Sequence, residues 1–421
     1  MRYTLLRPAL AAAVLGFNAL SAAAGGFQIT EQSVLGAGRA YAGIGVDGSD
    51  VAGQYYNPAV MTLHPGVQLQ QSVMLIGLNL DYAGDSGASE NGREKTNVVP
   101  SFYISAQLND VVWAGFSVAV PYGLSTSYGS EWEQKEEGTL SKLTVVDFNP
   151  SVAFKISDKL SIGGGASVQY IKARLGFNLS DVPVAQLNGG NLGNVHVKLD
   201  SVAMGFNVGA MWSPAENVRI GLSYRSAVRH SASGSATAEP TAVIPSLGAV
   251  LLGKQSMDAR VDMDAPAWAM LAAAWDVTER LSLYAAYRRT DWSSLQALTV
   301  RTPSQSQSVP TKWKDAHLFS LGYDFRVTPF WTFRSGLGYE ESPVADSRYR
   351  VGTIPDADRW WFALGSSFRF SENFQADISF AHLHGVHNRD LYRQTASGSS
   401  RIGKFRRLDG FLGGVQVQYR F

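Results

Sequence analysis

The final eleven residues, Phe411 to Phe421, constrain the fold more than any other stretch of this chain. Phe411, Gly413, Val415, Val417, Tyr419 and Phe421 fall on one side of an extended strand, and Leu412, Gly414, Gln416, Gln418 and Arg420 on the other. Side chains alternate faces along a strand, so one face is apolar and the other largely polar. A terminal strand of this kind, with an aromatic as its last residue, fits a strand that closes a barrel. Transmembrane barrels turn the apolar face to lipid and the polar face to the lumen, with aromatics at the membrane edges. A bacterial outer membrane is therefore the expected location.

The other end of the chain agrees. Arg2 and Arg7 precede an apolar run from Ala9 to Leu20, and Ser21-Ala22-Ala23-Ala24 supplies small residues for cleavage. This is the pattern of a secretory signal peptide, too short for a membrane-spanning helix. Residues 1–24 are expected to be removed, with the mature chain starting near Gly25. There is no cysteine, which excludes disulfides and a lipid anchor on cysteine. No later stretch offers about 18 consecutive apolar residues, so nothing should hold the chain in the inner membrane. A net charge of +1 gives no sign of a nucleic-acid partner or a polybasic membrane patch.

Residues 25–65 are rich in Gly and Ala and lack sustained alternation. Alternating segments then recur to the end: Val67–Tyr82, Val98–Leu108, Val111–Val120, Val145–Ile156, Ile162–Phe177, Val195–Trp212, Val218–Val228, Met257–Trp275, Leu281–Leu298, Trp313–Phe325, Trp331–Tyr339, Trp360–Phe370, Phe374–Leu383 and Gly410–Phe421. That makes fourteen, an even count suited to an antiparallel barrel with both termini in the periplasm. Asn109-Asp110, Ser157-Asp158-Lys159 and Ser371-Glu372-Asn373 read as periplasmic turns. Polar stretches at 83–96, 127–141, 179–194, 234–256, 300–312, 342–358 and 388–407 read as outer loops. Two of them carry apolar residues (Val182, Val184, Leu187, Val243, Ile244, Leu247, Val250 and Leu251), which either pack between loops or form an apolar intake patch. The fold class is all-β: a 14-stranded antiparallel transmembrane β-barrel over residues 66–421. Residues 25–65 are expected to form a small N-terminal hatch, or plug, in the lumen.

Several motifs in order resemble the FadL/TodX family of outer-membrane transporters for long-chain fatty acids and other hydrophobic compounds. Gly26-Phe27-Gln28-Ile29, followed by Gly36-Ala37-Gly38-Arg39-Ala40-Tyr41, looks like the family's mature N-terminus. Asn57-Pro58-Ala59 looks like its plug signature, and Val120-Pro121-Tyr122-Gly123-Leu124 like its kinked third strand. Glu341-Ser342-Pro343-Val344 and Ile354-Pro355-Asp356-Ala357-Asp358-Arg359-Trp360 match a paired signature around an outer loop. Trp313-Lys314-Asp315-Ala316 and Ser223-Tyr224-Arg225-Ser226 are weaker matches. The resemblance implies a monomeric barrel plugged by its N-terminal hatch, an apolar luminal pocket, and an opening in the wall at the third strand through which substrate leaves sideways. It also implies that Phe27 and Ile29 reach into the pocket, and that Gly36, Gly38, Arg39, Asn57, Pro58 and Ala59 belong to the gating hatch. By the same resemblance, the family's fatty-acid carriers hold the carboxylate with an Arg on the fifth strand and a Lys before the tenth. The matching positions here are Phe177 and Val309, with Arg174 and Lys312 nearby. A neutral hydrocarbon or aromatic is thus as plausible a cargo as a fatty acid.

Chemistry supports parts of this reading independently. Each methylene exposed to water costs about 0.8 kcal/mol, so an apolar route with a lateral exit suits a hydrophobic cargo and needs no energy source for downhill movement. Pro121 removes a ladder donor and Gly123 permits unusual dihedrals, so Pro121-Tyr122-Gly123 is suited to interrupting a strand pair; an ordinary strand end is the plainer alternative. Pro58 pushes Asn57 toward an extended conformation in which its side chain can close a tight turn. Other chemistries are weaker. Gly43-Ile44-Gly45-Val46-Asp47-Gly48 fits G-x-G-x-x-G but lacks the strand and helix that motif requires. His382, His384 and His387 cluster without cysteine or an obvious carboxylate partner in sequence. No G-x-S-x-G elbow occurs. Neither enzyme activity nor a cofactor is expected. The expected surroundings are outer-membrane lipid and lipopolysaccharide, and the strand ending at Phe421 is the element expected to meet the barrel-assembly machinery. The rival readings are a general porin for small polar solutes and a surface adhesin.

Overall fold

A computed structural model describes residues 26–421 apart from 93–95, 130–131, 136, 179–192, 245–247, 252–253, 304–305, 388 and 396–397. The expected signal peptide lies outside the described residues. So do Val182, Val184, Leu187 and Leu247 and the side chains of Val243, Ile244, Val250 and Leu251, and with them the intake patch.

Fourteen antiparallel strands form the wall. They are β1 (Val67–Gly84), β2 (Thr96–Gln107), β3 (Val112–Ser127), β4 (Leu140–Ser157), β5 (Leu160–Asn178), β6 (Gly193–Ala215), β7 (Val218–Arg225, resuming as Val228–Ile244) and β8 (Gln255–Ala265, resuming as Trp268–Asp276). The remainder are β9 (Leu281–Thr290), β10 (Ala316–Arg326), β11 (Trp331–Glu340), β12 (Asp358–Arg369), β13 (Phe374–Val386) and β14 (Gly398–Arg420). β1 pairs with β2 on one side and with β14 on the other, which closes the barrel. Closure is what allows strands to cross lipid, because every backbone group in the wall needs a partner.

The alternation seen in sequence becomes the two faces of the wall. On β14, Phe411, Val415, Val417 and Tyr419 are exposed outward while Leu412 and Gln416 are buried inside. Leu321, Phe319, Phe362, Leu364, Phe380, Met204 and Phe206 continue the exposed apolar belt on other strands. Connections at one end are short. Asn109 closes one of them by accepting from the N–H groups of Val111 and Val112, each at 2.9 Å.

Several stretches expected to be loops are strand. The second part of β7 reaches Ile244, β14 begins at Gly398, and Asp390–Thr395 pairs with β14. Ala297–Arg301 and Ser306–Pro310 form another hairpin. Above the membrane a wall strand meets water on its outer face, so it stays paired without the apolar alternation that marks its lower part.

The N-terminal segment is not strand. Short helices α1 (Val34–Ala37) and α2 (Gly53–Tyr56) and a 3-10 helix (Pro58–Leu63) fold back inside the wall, and nearly all of their residues are buried. Ser33 caps α1 by accepting from the Gly36 N–H at 2.8 Å and donates to Asp50 at 2.6 Å. The 3-10 helix packs on β4, β5 and β6, and α1 on β12 and β13.

Candidate functional site

The ladder between β2 and β3 breaks off early. β1 runs alongside β2 as far as the Gly77–Thr96 pair, but β2 and β3 are paired only from Gln107–Trp113 to Phe102–Val118. Thr96 to Ser101 therefore has a neighbour on one side only. On its other side β3 keeps its pairing with β4 but shifts register between Ala119 and Tyr122, where Val120-Pro121 adds one residue to β3. Such a bulge bends its strand and turns it away from the sheet.

The N-terminal segment supplies the partners that β2 does not. The Ile29 N–H donates to the Pro121 carbonyl at 2.7 Å, and the Gly123 N–H donates to the Phe27 carbonyl at 2.9 Å. Gln28 and Tyr122 face one another between these bonds. The Gln32 side chain donates to the Val120 carbonyl at 2.7 Å and accepts from the Val120 N–H at 3.0 Å, as a neighbouring strand would. Its backbone carbonyl accepts from Tyr103 at 2.7 Å and Ser101 at 3.2 Å, both on β2. Gln32 thus bridges the two strand edges. Proline suits this edge, since a ladder partner for the absent Pro121 N–H is not required.

Behind the break lies a buried aromatic cluster. The Phe27 ring sits 4.7 Å from Trp292 and 6.0 Å from both Tyr122 and Trp313, and the two Trp rings are 5.1 Å apart. Leu143, Val145, Ile171, Val197, Val261 and Met263 extend the cluster across the inner faces of β4, β5, β6 and β8. Tyr122 is anchored by donating to the Pro266 carbonyl at 2.9 Å, at the interruption of β8. The outer segment between β11 and β12 covers the cluster with Val344, Val351 and Ile354. Here the two halves of the paired signature meet, with Ser342 donating to Asp356 at 2.7 Å and Asp356 accepting from the Gly26 N–H at 3.2 Å. The start of the N-terminal segment is therefore tied to this outer segment.

The rest of the N-terminal segment is held by close approach and by charge. Asn57 accepts from the Ala59 N–H at 3.1 Å and donates to the Ala210 carbonyl at 3.0 Å. The wall beneath this turn is glycine. A Cβ at Gly163 would meet the Ala59 nitrogen at 2.8 Å, and one at Gly209 would meet the Asn57 Oδ1 at 2.1 Å. Arg39 pairs with Asp47 at 2.7 Å and Asp324 at 3.4 Å, and its guanidinium lies 3.9 Å from the Tyr284 ring. Its backbone passes over Gly336, where a Cβ would meet the Arg39 carbonyl carbon at 2.2 Å. At Gly38 a Cβ would meet the Arg334 side chain at 2.9 Å, and at Gly36 it would meet Ile44 and Tyr41 at 3.1 Å. Arg225 pairs with Asp147 at 2.8 Å and donates to the Tyr55 carbonyl at 2.8 Å. Arg288 pairs with Glu340 at 3.4 Å and donates to Thr30 at 2.9 Å. Below these contacts, a cavity at the short-turn end is lined by Asp47, Arg219, Arg280, Asp324, Arg326 and Arg369.

The two nearby cations named from sequence do not join the cluster. On β5 the residues packing inward are Ala173, Leu175 and Phe177, and Arg174 is exposed on the opposite face. An arginine one position away from an inward residue points out of the barrel. Lys312 is exposed near the outer end, donates to Tyr349 at 2.8 Å and lies 4.3 Å from that ring. Phe177 and Val309 do pack against the cluster. Sequence reading missed Gln32, Tyr103 and Trp292 and the glycines beneath the Asn57 turn. The run Gly163-Gly164-Gly165 inside an otherwise alternating strand was the available signal, because glycine there marks close approach of another backbone.

A family described as outer membrane protein transport protein (OMPP1/FadL/TodX) matches residues 15–421. The chain is 28% identical over 409 residues to a long-chain fatty acid transport protein of Escherichia coli O6:H1, with 90% of each chain covered. It is 29% identical over 427 residues to a 47 kDa outer membrane protein of Pasteurella multocida, with 98% of each covered. Among solved structures, a Pseudomonas aeruginosa FadL homologue shares the fold with a TM-score of 0.83 at 24% identity, over 94% of this chain and 100% of that one. The P. putida toluene transporter TodX gives a TM-score of 0.71 at 20% identity, over 88% of this chain and 94% of that one.

Proposed function

We propose, from the premise that this chain belongs to the OMPP1/FadL/TodX family of outer membrane transport proteins, that it carries hydrophobic small molecules passively through the aromatic cluster and out sideways between β2 and β3. The observation that carries the lateral route is the juxtaposition of a buried apolar cluster with the place where β3 is paired to the N-terminal segment rather than to β2. The alternative exit, straight down, leads into a cavity lined by charged side chains. Moving an apolar molecule there would expose it to water, at about 0.8 kcal/mol per methylene. Residues 26–65 act in this reading as a hatch whose first residues leave β3 when cargo passes, with Phe27 and Ile29 as the moving apolar contacts. No step involves a catalytic residue.

The cargo we propose is uncharged. Arg39, Arg225, Arg288, Arg334 and Arg359 are buried in the lumen, and each has a carboxylate partner of its own. Recruiting one of them to a fatty-acid carboxylate would strip a buried acid of its partner, at several kcal/mol. Among the described residues of the cluster, the buried donors without a partner are the indole N–H groups of Trp292 and Trp313, which are neutral. These features favour hydrocarbons, aromatics and uncharged compounds with a single acceptor oxygen.

Uptake of a labelled neutral aromatic and of a labelled long-chain fatty acid, in cells lacking their own transporter, tests the proposal. Faster uptake of the neutral compound with the protein than without it is expected. Preference for the acid would overturn the neutral cargo, and uptake of neither would revive a porin or an adhesin.

A further inference from the structure

The outer surface of the barrel carries a second constellation, separated from the lumen by the wall itself. On β13, His382 and His384 are two residues apart and share the outward face, while Ala381, Leu383 and Gly385 between and beside them are buried inside. The register of β13 against β14 sets Leu383 opposite Gly410 and brings Asp409 beside His384. The His384 Nδ1 and Asp409 Oδ1 are 3.0 Å apart. His382 lies flat on the Phe411 ring, 4.7 Å between centroids with 4° between planes. Its Nε2 is buried and has no hydrogen-bond partner. One ligand atom from each of His382, His384 and Asp409 falls within 4.8 Å of the others, the one such group of three among the described residues.

We propose that His382, His384 and Asp409 bind a divalent transition-metal ion, Zn2+ by ligand type, on the outer wall near the membrane edge. Two imidazoles and a carboxylate match the nitrogen and oxygen donors zinc prefers. Donors at roughly 2.0–2.2 Å from one ion lie about 3.5 Å from each other, so small side-chain rotations close the present spacing. The supports are in place: the Phe411 ring fixes the plane of His382, and the Gly385 N–H donates to Asp409 at 3.2 Å. Such outer contacts hold metal ligands in position. A metal would also satisfy the His382 nitrogen, which otherwise bears the cost of a buried unpaired polar atom. Three protein ligands leave a fourth position open. It faces outward at the level of Trp360, which pairs with His384 across β12 and β13 and packs 4.9 Å from Tyr339. Aromatic pairs of this kind mark the membrane–water boundary in barrels, so a water or a lipid headgroup oxygen can complete the coordination. His387 belongs to a different contact, 3.9 Å from Asp358, and serves as a control.

The test uses the untagged mature protein in detergent, stripped of metal and titrated with Zn2+ against a chromogenic chelator. Co2+ is titrated in parallel to read coordination from its visible absorption. One Zn2+ per barrel is expected, with affinity at least 10-fold weaker in His384→Ala and in His382→Asn and unchanged in His387→Ala. Heat-modifiable gel migration confirms that each variant is folded. Absence of one-to-one binding, or binding that survives unchanged in both folded histidine variants, would overturn the site.

Discussion

The backbone N–H of Gly123 donates to the carbonyl of Phe27 at 2.9 Å, so β3 completes its ladder here with the N-terminal segment and not with β2. A backbone group facing lipid without a partner costs several kcal/mol. The same two groups therefore seal the wall while they are joined, and in the proposed lateral route their parting would define the opening.

Gly123 itself offers the simplest perturbation. A Cβ there would lie 2.7 Å from the Ile29 Cδ1, the flexible end of a side chain that can move aside. Gly123→Arg should fold as a barrel, place a long cationic side chain across the break and reduce uptake several-fold. Uptake assayed alongside heat-modifiable gel migration separates a blocked exit from a misfolded wall.

The Asn57 turn and its glycine seat should respond as one unit. Asn57→Ala removes a cap to the 3-10 helix, worth about 1 kcal/mol, and the bond to Ala210. Gly209→Val approaches the same contact from the wall, where there is no room for a Cβ beside Asn57. Both variants, and Pro58→Ala through the lost backbone restraint, should give brief ion-conducting openings in planar bilayers that the parent protein lacks. A double variant at positions 57 and 209 should add little to either single change.

Arg39→Ala should be the most disruptive change in the N-terminal segment. It strips the buried Asp47 of its ion-pair partner, while Asp324 keeps Arg334 at 3.3 Å, and breaking a buried pair from one side costs about 3–5 kcal/mol. Protease cleavage within residues 26–65 and steady conductance report the loss. Resistance and silence equal to the parent would exclude a locking role for Arg39.

How much of this was legible in the sequence follows from what each feature depends on. Strand alternation is local, so all fourteen wall strands could be read, as could the departure from it at Pro121. The hairpins above the membrane escaped because Gly398–Arg407, Ala297–Arg301 and Ser306–Pro310 meet water on the outside and need no apolar face. The direction of Arg174 depended on strand parity at one position, which a resemblance to nearby residues does not fix. Gln32 is a polar residue in an irregular segment, and only its meeting with Val120, Ser101 and Tyr103 gives it meaning. Contacts between residues 88 or 382 positions apart, such as Gln32 with Val120 and Val34 with Gln416, leave no periodic trace.

Glu31, within the N-terminal segment, should make its docking pH-dependent. Both carboxylate oxygens are buried without a partner. Burial first, and Glu340 second, push this carboxyl up from 4.5 to about 8. The docked segment thus keeps a proton that the released segment loses above about 4.5. Docking is fully stabilised below that pH and weakens as pH rises toward about 8. Protease sensitivity of residues 26–65 should increase from pH 5 to pH 8 in the parent and lose that slope in Glu31→Gln.

The most direct test of the sideways route locks the segment to the strand. Gln28 and Tyr122 form a non-hydrogen-bonded pair, the geometry in which Cα atoms approach to about 4.5 Å, within the range that a disulfide spans. The chain has no cysteine of its own, so Gln28→Cys with Tyr122→Cys creates a single bridge. Uptake of a neutral aromatic is measured in the oxidised and reduced forms of this one variant, so loss of the Tyr122 ring is common to both. The account predicts uptake that is abolished by oxidation and returns on reduction. Equal uptake in the two forms would contradict it, because cargo would then be passing without any separation of Phe27 from Gly123.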